Sequence, residues 1–492
     1  MKDSNDDTIP FEDNNHSNRS SQFDKKPLPD DRQGLINNDN KDEIIKNFDL
    51  DDIDQSKCKN FFKKNIKKII FCSILAIIII IVVIIVYFTT KSSSAEDIKK
   101  NNILKLMYYT SEEGAEFTLF SPSILSNILS LEIDGKAKEE INNYYVFNDP
   151  GEHKVIIKLK TNLISLKELF KYNTYLTQAD FSDIEASNIN DTSQMFYNCN
   201  NLLSINFAQF NTPLLRNISQ MFFGCTSLTS IDLSFLDIGK VIDGSNLFSG
   251  CYNLENVDLS NFNTENMENM KGMFSSCVAI KNLNLKKFKT SKVTDMSKMF
   301  YKCYSIQSLD ITNFDTNKVT NMESMFNFCT SLDNLNIENF DMSKVTDMSN
   351  MFSSCQMMKN LRLGRSPSSS ILKMDNMFKG CWNLKELNLK SFDTKNVKSM
   401  SMMFYGCQSL TSLDLSNFYT PKVENMGGIF GKCLSLNIVD IKNFETNNLI
   451  VKSNLFNEVA DTGTIYYNSK IFNETLLEFK TIKNWKKIDV AK

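Results

Sequence analysis

Ten cysteines carry the most regular spacing in the chain: Cys199, Cys225, Cys251, Cys277, Cys303, Cys329, Cys355, Cys381, Cys407 and Cys433 follow one another every 26 residues. A row of thiols offers three kinds of chemistry. Metal binding needs paired ligands within a few residues or on converging loops, and no Cys-x-x-Cys occurs. Disulfides between neighbouring repeats are conceivable, because stacked Cα atoms approach the range a bridge spans. Buried free thiols are the third reading, and the position favours it. Each cysteine keeps one phase with flanking apolar columns, where Cys acts as a small hydrophobe. Other reactive groups are sparse. His153 is one of only two histidines, with no nucleophile motif beside it and no Gly-rich phosphate loop in the chain. Acidic side chains are many but spread evenly, which disfavours a calcium site. No enzyme, cofactor or metal is expected.

The elements that hold this column follow from its period. A fixed spacing of 20–50 residues marks a solenoid, whose units bury their apolar faces only by stacking. Counting from each Cys, an apolar residue lies three further on (Leu202, Leu228, Leu332, Leu410), and an apolar pair lies six and eight further on (Ile231 and Leu233, Leu309 and Ile311, Leu413 and Leu415). The residue between each pair faces the other way, as in a strand. Eleven further on stands Phe, from Phe210 to Phe444, broken at Leu236 and Ser366. Val293, Met296, Met299, Phe300 and Cys303 then suit a short helix with one buried face, with Thr294 as a cap. The expected fold is an α/β solenoid of about 10–12 coils, one short strand and one short helix each.

Outside the repeat the chain divides as follows. Residues 1–68 read as a disordered cytoplasmic tail: 1–56 hold seven Lys/Arg against fifteen Asp/Glu and no apolar period. Ile69–Phe88 carries no charge over 20 residues, the length of a transmembrane helix. Lys57, Lys59, Lys63, Lys64, Lys67 and Lys68 crowd its N-terminal side, so the positive-inside bias predicts a single-pass signal anchor with the C-terminal part extracellular at the plasma membrane. Residues 89–168 read as a stalk and an N-terminal β-containing cap, with a short helix over Ile98–Tyr108 and a strand over Glu152–Lys160. The solenoid runs over 169–456, with Asn173 in the cysteine position of a degenerate first unit. Residues 457–492 form a C-terminal cap that starts with a strand at Gly463–Tyr467. The net charge of −3 gives no basic field for nucleic acid.

The candidate partner-binding stripe is the outward residue between the two strand apolars: Asn206, Asp232, Asp258, Asn284, Asp310, Asn336, Arg362, Asn388, Asp414 and Asp440. It is either a concave contact face or a solvated face whose polarity blocks sheet-to-sheet association. The most irregular unit, Leu361–Ser370, adds Arg362 and Arg365 and loses the Phe column just before Trp382. It is either a contact site or a tolerated defect. Asn190, Asn217 and Asn473 head glycosylation sequons.

The pattern Phe-Asp-Thr-x-x-Val-Thr-x-Met-x-x-Met-Phe-x-x-Cys-x-Ser-Leu-x-x-Leu-x-Leu-x-x-Phe, met over roughly Ser193 to Leu455, resembles the BspA-like leucine-rich repeats of bacterial and protist surface proteins. The resemblance implies a leucine-rich-repeat solenoid, surface display and adhesion to a protein or glycan. Phe stands where the plain leucine-rich repeat keeps a backbone-bonding Asn, so an asparagine ladder is not expected. The reading is a membrane-anchored adhesion protein. The alternatives are a receptor-like sensor signalling through its acidic tail, or an intracellular scaffold if the topology is inverted.

Overall fold

Twelve coils of one shape follow a small antiparallel sheet. The computed structural model describes residues 100–366, 370–477 and 482–492, all within the unit Lys99–Lys492. The first sheet is built from β1 (Ile103–Thr110), β3 (Ile128–Ile133), β4 (Lys136–Ala137), β6 (Gly151–Leu159) and β7 (Leu176–Asp183), in the order β4-β3-β6-β1-β7. A separate hairpin pairs β2 (Ala115–Thr118) with β5 (Tyr144–Phe147). The segment expected as a helix over Ile98–Tyr108 is mostly β1. Leu104, Leu106 and Tyr108 alternate with exposed or half-exposed neighbours, a period of two that only a strand buries on one side. The strand over the 152–160 region is β6.

β7 hands the sheet over to the solenoid. It pairs antiparallel with β1 on one side and parallel with β8 (Ser204–Asn206) on the other, Ala179 opposite Ile205. Further coils contribute β9 (Ser230–Asp232), β10 (Asn256–Asp258), β11 (Asn334–Asn336), β12 (Asn360–Arg362), β13 (Ser412–Asp414) and β14 (Ile438–Asp440), then β15 (Thr464–Tyr467) and β16 (Lys486–Asp489). A second parallel ladder runs from Ser165 through Asp191, Asn217 and onward to Val451, one bridge per coil.

The helix expected in each coil is absent, and the fold is a β-solenoid. Among the described residues the named helical elements are two short 3-10 turns, Pro122–Asn127 and Glu474–Leu477. The hydrogen bonds give the reason. In an α-helix each N–H returns to the carbonyl four residues back. Here Met299, Tyr301 and Cys303 donate three residues back, while Met296, Lys298, Phe300 and Lys302 donate to Asn321, Glu323, Met325 and Asn327 of the next coil. Alternate amides thus serve the stack, and two residues per coil take positive φ to allow it. Those columns run from Glu168 to Asn454 and from Tyr172 to Glu458, and include Lys298 (φ 57) and Lys302 (φ 56). Spacings of three, three, one and three bury the same side chains in a helix or in such a run of turns.

The core is a set of side-chain columns. Phe170, Phe196, Phe222, Phe248, Phe274, Phe300, Phe326, Phe352, Phe378, Phe404, Phe430 and Phe456 stack with ring centroids 5.0–6.0 Å apart. Each full burial stabilises by roughly 1.5–3 kcal/mol. Both ends of the stack are closed. Asn173, with no preceding coil to meet, donates its amide to Thr118 and Leu119 carbonyls of the first sheet's flank. At the other end Trp485 lies 6.2 Å from Phe456 and donates to the Ala460 carbonyl at 2.7 Å.

The expected transmembrane anchor is corrected as well. No helix among the described residues is long and apolar enough to cross a membrane, since these residues fold as short strands and turns far below the ~20 residues a span needs. The run 69–88 and the tail 1–68 lie outside the described residues. The single-pass plasma-membrane topology, with its membrane, transmembrane and signal-anchor readings, therefore has no support among the described residues.

Candidate binding surface

The stripe of ten residues lies on the strand face. Each described strand triplet turns its middle residue toward the core and its first and third residues outward, as in Ser230-Ile231-Asp232 and Ser412-Leu413-Asp414. Asn206, Asp232, Asp258, Asn284, Asp310, Asn336, Arg362, Asn388 and Asp414 are exposed and Asp440 is half-buried. Parallel register sets them above one another: Asp232 opposite Asp258, Asn336 opposite Arg362, Asp414 opposite Asp440.

Their residue type has a local cause. In nine of the ten the side-chain Oδ1 accepts from the backbone N–H two residues on, at 2.8–3.4 Å, turning the chain out of the strand. Asn and Asp are the side chains best suited to this turn, and Ser or Thr make it more weakly. Arg362 is the exception. The same bonds tune the acids. The Ser260 backbone N–H and hydroxyl hold the Asp258 carboxyl below its usual range, the Thr312 hydroxyl and N–H do so for Asp310, and Ser416 for Asp414. The stripe is thus a row of turn-formers whose remaining atoms, a second carboxylate oxygen in Asp and an NH2 in Asn, lie on the strand face.

The cysteine column lies inside. All ten thiols are free and buried, and each donates to the carbonyl of the Phe 29 residues earlier, as Cys303 does to Phe274 at 3.1 Å. Burial pushes Cys251, Cys303, Cys381 and Cys433 up to about 12, and the other thiols also upward. No metal-binding cluster of His, Cys, Asp or Glu is found among the described residues. His153 is buried in the first sheet, its Nδ1 2.8 Å from Asp134 Oδ2 and its ring stacked on Phe147 at 3.9 Å. Of the sequons, Asn190 and Asn473 are exposed, whereas Asn217 is half-buried with its Oδ1 engaged by Ser219 N–H and hydroxyl.

Two further columns escaped the sequence reading. Buried Thr264, Thr290, Thr316, Thr394 and Thr420 donate to carbonyls of the next coil at 2.8–3.0 Å. The Asn before the Phe column forms a ladder of its own: Asn313, Asn339 and Asn417 donate to the Phe288, Phe314 and Phe392 carbonyls of the preceding coil at 2.8–3.0 Å. An asparagine ladder therefore exists, one position before the place where Phe stands. The recurrence of Asn-Phe was its visible signal.

No curated protein matches the chain. Among solved structures, the TLR13–ssRNA13 complex shares 16% identity over 62% of this chain and 42% of that one, with a TM-score of 0.26. A leucine-rich-repeat protein of Leptospira interrogans shares 15% identity over 63% of this chain and 72% of that one, with a TM-score of 0.25. This chain spans less than half the length of the first. One family matches three times in succession, over residues 164–284, 274–383 and 359–464, as an internal repeat requires. Those matches extend along the whole run of coils, and the chain belongs to the family described as Mycoplasma protein of unknown function, DUF285.

Proposed function

We propose that the strand face of the solenoid holds a protein partner by extended contact, without turnover. The observation that carries this reading is where the coils differ. Inward positions repeat Leu, Ile, Phe, Met and Cys with little change, whereas the charged residues in and beside the strand positions change sign along the stack. Glu255 and Asp258 form an acidic band, Lys281, Lys286 and Lys287 a basic one, and Asp333 and Glu338 an acidic one. Lys359, Arg362, Arg365, Lys385 and Lys390 follow as a second basic band, with Glu386 among them. Parallel pairing holds such bands about 4.8 Å apart per coil, a fixed ruler for a partner. Alternating charge fixes partner and register more than it adds affinity, and it favours a charged protein surface over a neutral glycan.

The test is site-specific photo-crosslinking in the full chain. A benzophenone amino acid is placed at Ser230, Asn334 or Ser412 on the strand face, and at Lys298, Asn350 or Asn376 on the turn ridge. Exposure to extract of the source cells should give discrete protein adducts from the first three positions and none from the others. Adducts from the ridge alone, or from no position, would overturn the reading.

A further inference from the structure

The interrupted coil departs from the solenoid in four linked ways. Arg362 replaces the turn-forming Asn or Asp. Asp341 bridges to Arg365, 24 residues on, whereas the same two coils bridge at 26 just before, at Asn336–Arg362, and the next pair does so at Ser366–Phe392. The shortened path presses Gly364 onto the preceding coil, where a Cβ would stand 2.1 Å from the Phe340 carbonyl oxygen and 2.8 Å from that of Ile337. Only glycine fits there. Ser366 occupies the Phe column, fully buried.

These changes open a cleft on the strand face. It encloses about 590 Å³, the size of a side-chain or small-ligand pocket, between Leu361–Arg365 and Glu386–Ser391. Leu363 and Leu387 line it and are only half-buried, whereas Ile337 and Leu389 are buried in the core. Around its rim stand Arg362, Arg365 and Lys390. Arg362 lies 3.9 Å from Glu338 and Lys390 3.4 Å from Asp414, exposed pairs that a partner can replace at little cost. The exposed Arg365 side chain has no ion-pair partner among the described residues. Lys359 and Lys385 extend the same positive band.

We propose that this cleft receives an acidic, extended segment of a protein partner, a bulky apolar side chain seated between Leu363 and Leu387 and carboxylates set on Arg362, Arg365 and Lys390. The proposal rests on the strand face being the binding surface and names where its specificity lies. Arginine gives planar, bidentate recognition of carboxylates and is enriched in hot spots, which cluster in packed pockets that exclude water. Lys281, Lys286 and Lys287 make an internal comparison, a basic band with no arginine.

The probe is a fluorescein-labelled peptide, Glu-Asp-Leu-Glu-Asp, titrated by anisotropy against the full chain at two salt concentrations. Arg365→Glu should weaken it at least tenfold and Lys286→Glu less than twofold, with circular dichroism unchanged in both. Replacing the central Leu by Ser should weaken it at least fivefold, and a Lys-Lys-Leu-Lys-Lys peptide should not bind. Equal loss in Lys286→Glu and Arg365→Glu, or equal binding of the Ser peptide, marks a diffuse polyanion effect and overturns the cleft. Displacement of the peptide by a single-stranded RNA of the same charge, with no dependence on the Leu, does the same. Absence of peptide binding while strand-face crosslinks persist refutes this inference alone. Absence of both refutes the binding face itself.

Discussion

Replacing Phe300 by Ala tests whether the aromatic column carries the solenoid. Phe300 is fully buried, with its ring 5.9 Å from Phe274 and 5.6 Å from Phe326, interplanar angles 2° and 12°. A buried Phe→Ala change costs about 3–5 kcal/mol, from lost transfer energy plus the cavity left behind. Here the cavity opens on two interfaces at once, because the ring contacts a coil on each side. Repeat arrays are stabilised by nearest-neighbour interfaces, so the loss falls on the junction between the coils before and after Cys303. Phe300→Leu keeps most of the volume and should cost about 1–2 kcal/mol. Tyr252→Ala, at a ring 52% exposed, should cost under about 1 kcal/mol. Urea unfolding followed by far-UV circular dichroism gives the ranking. Emission from Trp485, 4% exposed at the end of the stack, reports the last coils separately once Trp382 is replaced by Phe in every variant. In the Phe300→Ala chain the two signals should separate, since the weakened junction uncouples the halves. A loss for Phe300→Ala no greater than that for Tyr252→Ala would refute the reasoning.

Three further outcomes follow from the same columns. The ten repeat thiols should resist alkylation in the folded chain at pH 8 and react on unfolding, because burial keeps them protonated; mass spectrometry of iodoacetamide-treated protein counts them. Asp489, whose carboxyl accepts from Ser469 and Ala491, is held down at about 2. A depressed carboxyl stabilises above its unfolded value near 3.9 and loses that contribution as pH falls through its folded one. The melting-temperature gap between the parent chain and Asp489→Asn should thus be constant above pH 5 and close between pH 4 and pH 2. Ser297 is fully buried with a hydroxyl that has no hydrogen-bond partner, so Ser297→Ala should leave stability unchanged or raise it by about 1 kcal/mol, read from the urea midpoint.

How far the fold could be read from residues alone depends on what each residue pattern records. Burial leaves a periodic trace, and the columns of Cys303, Phe300, Met296 and Leu309 were visible as core before any backbone was placed. Backbone hydrogen bonding leaves little. The run from Val293 to Cys303 buries the same face as a helix or as consecutive turns, and the difference lies in amides such as Lys298 N–H reaching Glu323 of the next coil. Positive φ at Lys298 and Lys302 has no residue signature, since non-glycine residues fill most of both columns. The stripe from Asn206 to Asp440 was visible as a column, but the turn-forming role of its side chains was not. Asn and Asp recur there because a turn needs an oxygen, so position on the face says more about contact than residue type does. Arg362 stands out against that rule, and its irregular coil was legible as a lost Phe and two added arginines. The cleft itself was not, because it depends on the two-residue register change between Arg362 and Arg365.

The most direct measurement separates charge on the strand face from the frame that supports it. In Asp232→Asn/Asp258→Asn/Asp310→Asn the amide oxygen still accepts the turn hydrogen bond while the charge is gone, so the melting temperature should stay within about 2 °C. Affinity for the crosslinked partner, by titration calorimetry at physiological salt, should change at least tenfold or the association should be lost. A triple change of ridge lysines, Lys298, Lys302 and Lys432 to Gln, should leave it within twofold. Unchanged affinity in the strand-face variant with a large effect from the ridge would contradict the account.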